Sequence, residues 1–131
     1  GMVEDDEQIV WRAGSHEHVE LLHCVSAYPV PISEINLAVL HSGLYAGLSD
    51  HTRHPLTGAV AVGAGTGVVE FHLRLEDTDP GNADYAVART PEEAREYVKL
   101  IRVAETMMGS SERRVMPCEK PMLRYRVVRA S

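Results

Sequence analysis

Cysteine is scarce in this sequence, which contains only Cys24 and Cys118. Two cysteines so far apart do not suggest a disulfide framework, and they lack the close spacing of a CxxC zinc site. We therefore expect two reduced thiols and no cysteine-based zinc site.

Long apolar runs and a concentrated basic stripe are also absent. The apolar runs reach about ten residues, half of what a transmembrane helix needs, and the N-terminal GMVEDDEQ lacks the basic and apolar regions of a signal peptide. We expect a cytoplasmic protein without a membrane partner. The 13 Lys and Arg are scattered and outnumbered by 19 Asp and Glu, for a formal charge of -6, so nucleic acid is not an expected partner.

The composition is that of an ordinary globular domain. Hydrophobic residues make up 44% of the chain and charged residues 24%, which allows a buried core. The 131 residues suit one domain, but they fall well short of the about 250 residues of a closed eight-stranded α/β barrel. Gly1 ahead of Met2 resembles a tag remnant, so we begin the domain at residue 2.

Helical and strand patterns alternate along the chain. The clearest helix has Thr90 as N-cap, Pro91 at its first position and Glu93 where a capping box needs it, and it ends before Gly109. In all, the patterns predict strands over 19–24, 46–51 and 67–73, and helices over 3–13, 33–44, 57–65 and 91–108. This order predicts an α/β fold of about three parallel strands with flanking helices. We assign residues 2–116 to this domain and the basic, proline-broken residues 117–131 to a C-terminal tail.

Two of the predicted strands end in a histidine, in GLSDHT and in VVEFHL. Strand side chains alternate between faces, so Ser49 and His51 share one face, and Glu70 and His72 share the corresponding face of the next strand. Neighbouring strands lie about 4.8 Å apart, so both imidazoles could bind one divalent ion, with Glu70 beside them as a partner or base. Two histidines with open positions suit a catalytic Mn²⁺, Fe²⁺ or Zn²⁺.

Simpler roles remain open for these residues. A histidine at a strand end is often a polar residue with a hydrogen-bond partner rather than a metal ligand. Asp50 could bind a neighbouring backbone amide, Tyr28 could serve packing, and His23 could face the helices or make a hydrogen bond in the core.

Several segments together resemble the N-acylneuraminate (sialic acid) synthase family. They are LLHCVSAYPVP, GLSDHT, VVEFHL, the PGNAD loop and PCEKPMLRYRVVRA, and they occur in the family's order. Members of that family condense phosphoenolpyruvate with N-acetylmannosamine or a related amino sugar in a TIM barrel. The resemblance covers nearly the whole chain and implies a partial (β/α) barrel that corresponds to the C-terminal part of the family's barrel only.

The resemblance also implies roles for individual residues. His51 and His72 match the ligands of a divalent metal, most often Mn²⁺, and Glu70 matches the catalytic acid beside them. The remaining matches are Ser26 and Ser49 for phosphoenolpyruvate, Tyr28 for the sugar site, and Asp84 for the loop that approaches the sugar.

The chain departs from the family in several ways, and two of them matter most here. Phe71 stands where the family usually has lysine, and the strands that carry the phosphate-binding lysines have no counterpart. We therefore expect a truncated or split synthase that is completed by a partner or by a second copy in a homo-oligomer. The alternative is a non-catalytic binding or structural domain that retains a vestigial metal or phosphate site.

Overall fold

The computed structural model describes residues 7, 8, 10 and 18–126. Within them, three short strands form one parallel sheet in the order β1-β2-β3. The strands are β1 (Leu22–Cys24), β2 (Gly47–Asp50) and β3 (Val68–Phe71), and the α-helices are α1 (Thr57–Gly63) and α2 (Pro91–Met108). The predicted α/β class, with parallel strands and flanking helices, is confirmed. None of the helices in the described part of the chain is long and apolar enough to cross a membrane.

The connection between β1 and β2 differs from the prediction. A helix over 33–44 was expected, but the structure has a six-residue 3₁₀ helix, Leu37–Ser42. Asn36 at its start is in the left-handed conformation, with φ 49°, which interrupts a continuous α-helix. The carbonyl of Ile35 accepts a hydrogen bond from the His23 ring at 2.8 Å and is thereby held by β1. Of the two roles that the sequence left open for His23, a hydrogen bond is the one that the structure shows.

The two ends of the chain bear on two further predictions. Glu7, Gln8 and Val10 are helical, and the rest of the predicted helix over 3–13 lies outside the described residues. A second 3₁₀ helix, Pro117–Tyr125, occupies much of the proposed tail, and its residues are exposed. The boundary between a domain and a tail at residue 116 stays a prediction.

The centre of the sheet is β2, which is buried along its whole length. Gly47 at its start pairs with Val68, and a Cβ added to Gly47 would lie 2.2 Å from the Val68 carbonyl oxygen. Glycine is therefore required at position 47, because a side chain there would overlap the backbone of β3. Beneath the sheet, one apolar cluster comprises Val30, Ile35, Leu40, Leu48, Ala61 and Ala64.

The capping box at the start of α2 forms as predicted. The Thr90 amide donates to Glu93 Oε2 at 2.8 Å, and the Glu93 amide donates to Thr90 Oγ1 at 3.3 Å. The hydrogen bond from the Thr90 amide, helped by the charge of Arg53, lowers the pKa of Glu93 below its usual value. A lowered pKa means that this carboxylate stabilises the fold above the ordinary glutamate pKa, and that the contribution is lost as pH falls through the lowered value.

Glu93→Gln should therefore destabilise the protein by a few tenths of a kcal/mol near neutral pH, because the Glu93 side chain is 44% exposed and its charge is screened by solvent, and by less near pH 3. Urea unfolding of both proteins at the two pH values measures this difference. Glu105→Gln, which alters an exposed ion pair with Arg102 on the same helix, serves as the control and should change stability little at either pH. An effect of Glu93→Gln that is undiminished in acid would contradict the role of the ionised carboxylate.

Candidate metal and substrate site

His51 directly follows β2, and its ring is held in one orientation. It is 3% exposed, and its Nδ1 lies 3.0 Å from the carbonyl oxygen of Val25. Because a carbonyl only accepts, Nδ1 carries a proton, and in the neutral ring Nε2 then keeps its lone pair. The His51 carbonyl in turn accepts from the Val30 amide at 2.9 Å, so ring and backbone are both anchored.

His72 directly follows β3 and meets His51 on the same side of the sheet. The two Nε2 atoms lie 3.2 Å apart, and the ring centroids are 5.0 Å apart. On its other side, Nδ1 of His72 lies 3.5 Å from Oδ2 of Asp84. The convergence of the two imidazoles, predicted from their positions at the strand ends, is present.

The spacing of the two nitrogens fits a shared metal ion. Two metal–nitrogen bonds of about 2.1 Å place their nitrogens about 3.0 Å apart at a right angle and about 3.4 Å apart at a tetrahedral angle. The observed 3.2 Å lies between these values. Each Nδ1 also faces an oxygen, of Val25 for His51 and of Asp84 for His72, as is usual for histidines that bind metals.

Within the described residues, the two histidines are the groups placed to bind such an ion. In the part of the chain that the structure describes, no group of three or more His, Cys, Asp or Glu is arranged to hold a metal. The other positions around an ion would be open to water, to a substrate or to groups outside the described residues.

Ser49 and Glu70 lie next to the histidines. The Ser49 hydroxyl donates to Glu70 Oε2 at 2.5 Å, and its oxygen lies 3.3 Å from His51 Nε2. Their placement follows from the strand register, which pairs Ser49 with Glu70. Ser49 is 8% exposed and Glu70 is exposed, so the carboxylate is open to a ligand while the hydroxyl holds it beside the two imidazoles.

Tyr28 packs against both imidazoles. Its ring stacks on that of His51 with centroids 4.3 Å apart, and it meets His72 edge-on at 5.9 Å. The side chain is 46% exposed, so its outer part is open to a ligand. Partial burial, and then the negative charges of neighbouring acidic groups, raise the pKa of the Tyr28 phenol above its usual value. The phenol therefore stays protonated at neutral pH and can donate a hydrogen bond.

Asp84 reaches the site from the loop between β3 and α2. Its carbonyl accepts from the amides of Val87 and Ala88, at 3.0 and 2.9 Å, and its amide donates to Asn82 Oδ1 at 2.9 Å. These bonds hold the loop so that the carboxylate faces His72. Ser26, in contrast, is exposed and makes no hydrogen bond with another described residue, so its role stays a prediction.

The sequence did not single out Cys24 as a residue of the site. Its Sγ lies 4.0 Å from His51 Nδ1, and the register pairs Cys24 with Ser49. Alternation along β1 places Cys24 on the same face of the sheet as Ser49 and His51. The pairing of β1 with β2 is what brings it next to His51.

A second polar cluster lies on the opposite face of the sheet, toward α2. The Asp50 carboxylate is fully buried and accepts from Arg89 Nη2 at 2.9 Å and from the Tyr97 hydroxyl at 2.5 Å. It also accepts from the Thr52 amide at 2.8 Å, so the backbone-amide role of Asp50 is confirmed. Burial, and then the Asp50 charge, raise the pKa of Tyr97 above its usual value, which keeps its hydroxyl a donor.

The chain is similar in sequence to one known family and to several curated proteins. Residues 3–113 match the NeuB family. The N,N'-diacetyllegionaminic acid synthase of Legionella pneumophila is 36% identical over 111 residues, which are 81% of this chain and 31% of that protein. The N-acetylneuraminate-9-phosphate synthase of Homo sapiens is 33% identical over 104 residues, 75% of this chain and 29% of that protein.

A solved structure has the same fold. The crystal structure of N-acetylneuraminic acid (sialic acid) synthetase from Leptospira borgpetersenii superposes with a TM-score of 0.77 at 20% identity, over 95% of this chain and 46% of that one. The chain spans about a third of the length of the curated relatives that it matches. The resemblance found in the sequence is confirmed: the chain belongs to the NeuB family.

Proposed function

We propose that this chain provides the metal-binding part of a sugar-acid synthase that joins phosphoenolpyruvate to N-acetylmannosamine or a related amino sugar. The observation that carries the proposal is the 3.2 Å approach of the two histidine Nε2 atoms, each ring having an oxygen at its other nitrogen. The relatives named as sialic and legionaminic acid synthases support the reaction class.

In the overall reaction, the enol carbon of phosphoenolpyruvate bonds to the aldehyde carbon of the open-chain sugar. Water then supplies the oxygen of the new keto acid, and inorganic phosphate leaves. A Mn²⁺ ion held by His51 and His72 would polarise the aldehyde oxygen and so favour attack at its carbon.

The neighbouring side chains suit the binding and proton-transfer steps. Glu70 is an exposed carboxylate that can accept a proton from a ligand hydroxyl or water, and Ser49 holds it in place at 2.5 Å. The protonated phenol of Tyr28 and the carboxylate of Asp84 border the open side, where they can bind the hydroxyl groups of a sugar. We assign phosphoenolpyruvate to Ser49 and Ser26.

The substitution of Phe71 for the family's lysine leaves this side of the sheet unchanged. The Phe71 ring lies on the helix face, with its centroid 5.1 Å from that of Tyr97. Its side chain is therefore directed away from the two imidazoles, and the loss of a lysine there removes no group from the proposed site.

Binding of phosphoenolpyruvate also requires cationic groups that the described strands do not carry. We propose that the rest of the barrel supplies them, from a longer form of this chain, a second copy, or another polypeptide. A homo-oligomer and a cytoplasmic location stay predictions.

The test is sugar-dependent release of phosphate. The protein, alone and together with the remaining part of the barrel, is incubated with phosphoenolpyruvate, N-acetylmannosamine and Mn²⁺, and phosphate is measured with and without the sugar. We expect release by the complemented protein and none by the same assembly with His72→Ala. Binding of Mn²⁺ without release in any combination would instead favour a non-catalytic domain with a vestigial metal or phosphate site.

A further inference from the structure

Arg89 joins the ends of β2 and β3 at the point where α2 begins. It is 3% exposed and lies on the face of the sheet opposite the two imidazoles. We infer that Arg89 is a positioning residue for the metal-binding site, acting on His51 through its side chain and on His72 through its backbone. This inference rests on the proposed function of that site.

The side chain of Arg89 holds the end of β2. Its Nη2 donates to Asp50 Oδ2 at 2.9 Å and to the carbonyl of His54 at 3.1 Å. Asp50 immediately precedes His51, and alternation directs the two side chains to opposite faces. A fixed Asp50 carboxylate therefore fixes the backbone from which the His51 imidazole projects into the site.

The backbone of Arg89 holds the end of β3. Its amide donates to the His72 carbonyl at 2.8 Å, and its carbonyl accepts from the Arg74 amide at 2.9 Å. These bonds flank Leu73, which forms an isolated parallel bridge with Arg89. Arg89 also ends the loop that brings Asp84 to His72. The backbone of His72 and the loop that carries the carboxylate facing its ring are therefore both held at Arg89.

The desolvation cost of burying this guanidinium favours a positioning role for Arg89 over a purely stabilising one. Nη1 of Arg89 is buried without a hydrogen-bond partner among the described residues. A buried ion pair is weak evidence for stability, because desolvation offsets much of the attraction. What the arginine provides here, and a smaller apolar residue would not, is one nitrogen, Nη2, that donates both to Asp50 and to the His54 carbonyl, on either side of the segment containing His51.

The test uses two variants of Arg89 and one control in the full chain. Arg89→Met keeps the length of the side chain and removes both side-chain hydrogen bonds, and Arg89→Lys restores the charge. Leu40→Ala removes a side chain of the apolar cluster that is 4% exposed. It should lower stability without removing a hydrogen bond of Arg89. Circular dichroism confirms that each variant is folded under the conditions used.

Two readouts are measured. The first is Mn²⁺ affinity by electron paramagnetic resonance of the free ion, where we expect about a tenfold loss for Arg89→Met, a partial recovery for Arg89→Lys and no change for Leu40→Ala. The second is the nitrogen NMR spectrum of the histidine rings in metal-free protein. We expect the Nδ1-protonated signature of His51 to be lost in Arg89→Met and retained in Leu40→Ala.

Each outcome decides the inference. Wild-type affinity and unchanged His51 signals in Arg89→Met would overturn it, and so would equal losses in Leu40→Ala, since these indicate general destabilisation. If the wild-type chain binds no Mn²⁺, the metal part of the proposed function fails. The His51 signals then decide alone: a change confined to the Arg89 variants supports positioning, and no change overturns it.

Discussion

Replacing His51 by alanine is expected to abolish Mn²⁺ binding by the chain, with a loss of affinity greater than about 100-fold. Loss of an outer hydrogen-bond partner alone lowers metal affinity by about 10- to 100-fold, and here one of the two proposed ligands itself is removed. The variant should keep its fold, because the space left behind adjoins the exposed ring of Tyr28 rather than the apolar cluster. Titration with Mn²⁺ followed by electron paramagnetic resonance measures the change.

His41→Ala is the matched control for this experiment. His41 is exposed on the 3₁₀ helix Leu37–Ser42, where its Nδ1 contacts the nearby carbonyl of Ala38, at 3.1 Å. Its removal should leave Mn²⁺ affinity at the wild-type value. If His51→Ala bound Mn²⁺ as well as the wild type does, the ion would be bound elsewhere, and the proposed site would be wrong.

Replacing Asp50 by alanine is expected to produce the largest loss of stability, about 3–5 kcal/mol. The substitution leaves the buried guanidinium of Arg89 without its counter-charge and the Tyr97 hydroxyl without its acceptor. An unpaired buried cation is more costly than a missing apolar contact. Urea unfolding monitored by circular dichroism gives the difference in the free energy of unfolding from the wild type.

A double variant separates the charge from the packing. Asp50→Leu combined with Arg89→Met replaces the ion pair by apolar side chains, and such replacements are often neutral or stabilising. We expect this protein to be more stable than Asp50→Ala but to bind Mn²⁺ no better than Arg89→Met. Equal stability of the double variant and Asp50→Ala would show that the lost charge pairing is not the cause of the destabilisation.

The parts of the fold that local chemistry determines were predictable from the sequence. The capping box of Thr90 and Glu93 sets the start of α2 at Pro91 by contacts three residues apart. Alternation along β2 separated Ser49 and His51 from Leu48 and Asp50, because the period of a strand is two. The meeting of His51 and His72 followed from these rules, since both residues come directly after parallel strands.

The parts that depend on distant contacts were not predictable. Arg89 contacts Asp50 across 39 positions of sequence, and nothing in its immediate neighbours marks it as buried. The 3₁₀ helix in place of the expected helix over 33–44 has a similar cause. The hydrogen bond from the His23 ring to Ile35 crosses 12 positions, and no local propensity contains it. Tertiary structure overrides helical periodicity in this segment.

The opposite orientation of Asp50 and His51 restricts how this strand can change in length. Insertion or deletion of one residue within β2 would exchange its two faces, turning the imidazole toward α2 and the carboxylate toward the substrate side. A change of two residues would keep the faces but carry the ring about 6.6 Å along the strand, away from His72. Gains and losses of sequence among the relatives should therefore be confined to the connecting loops, and the spacing from Gly47 to His51 should be constant.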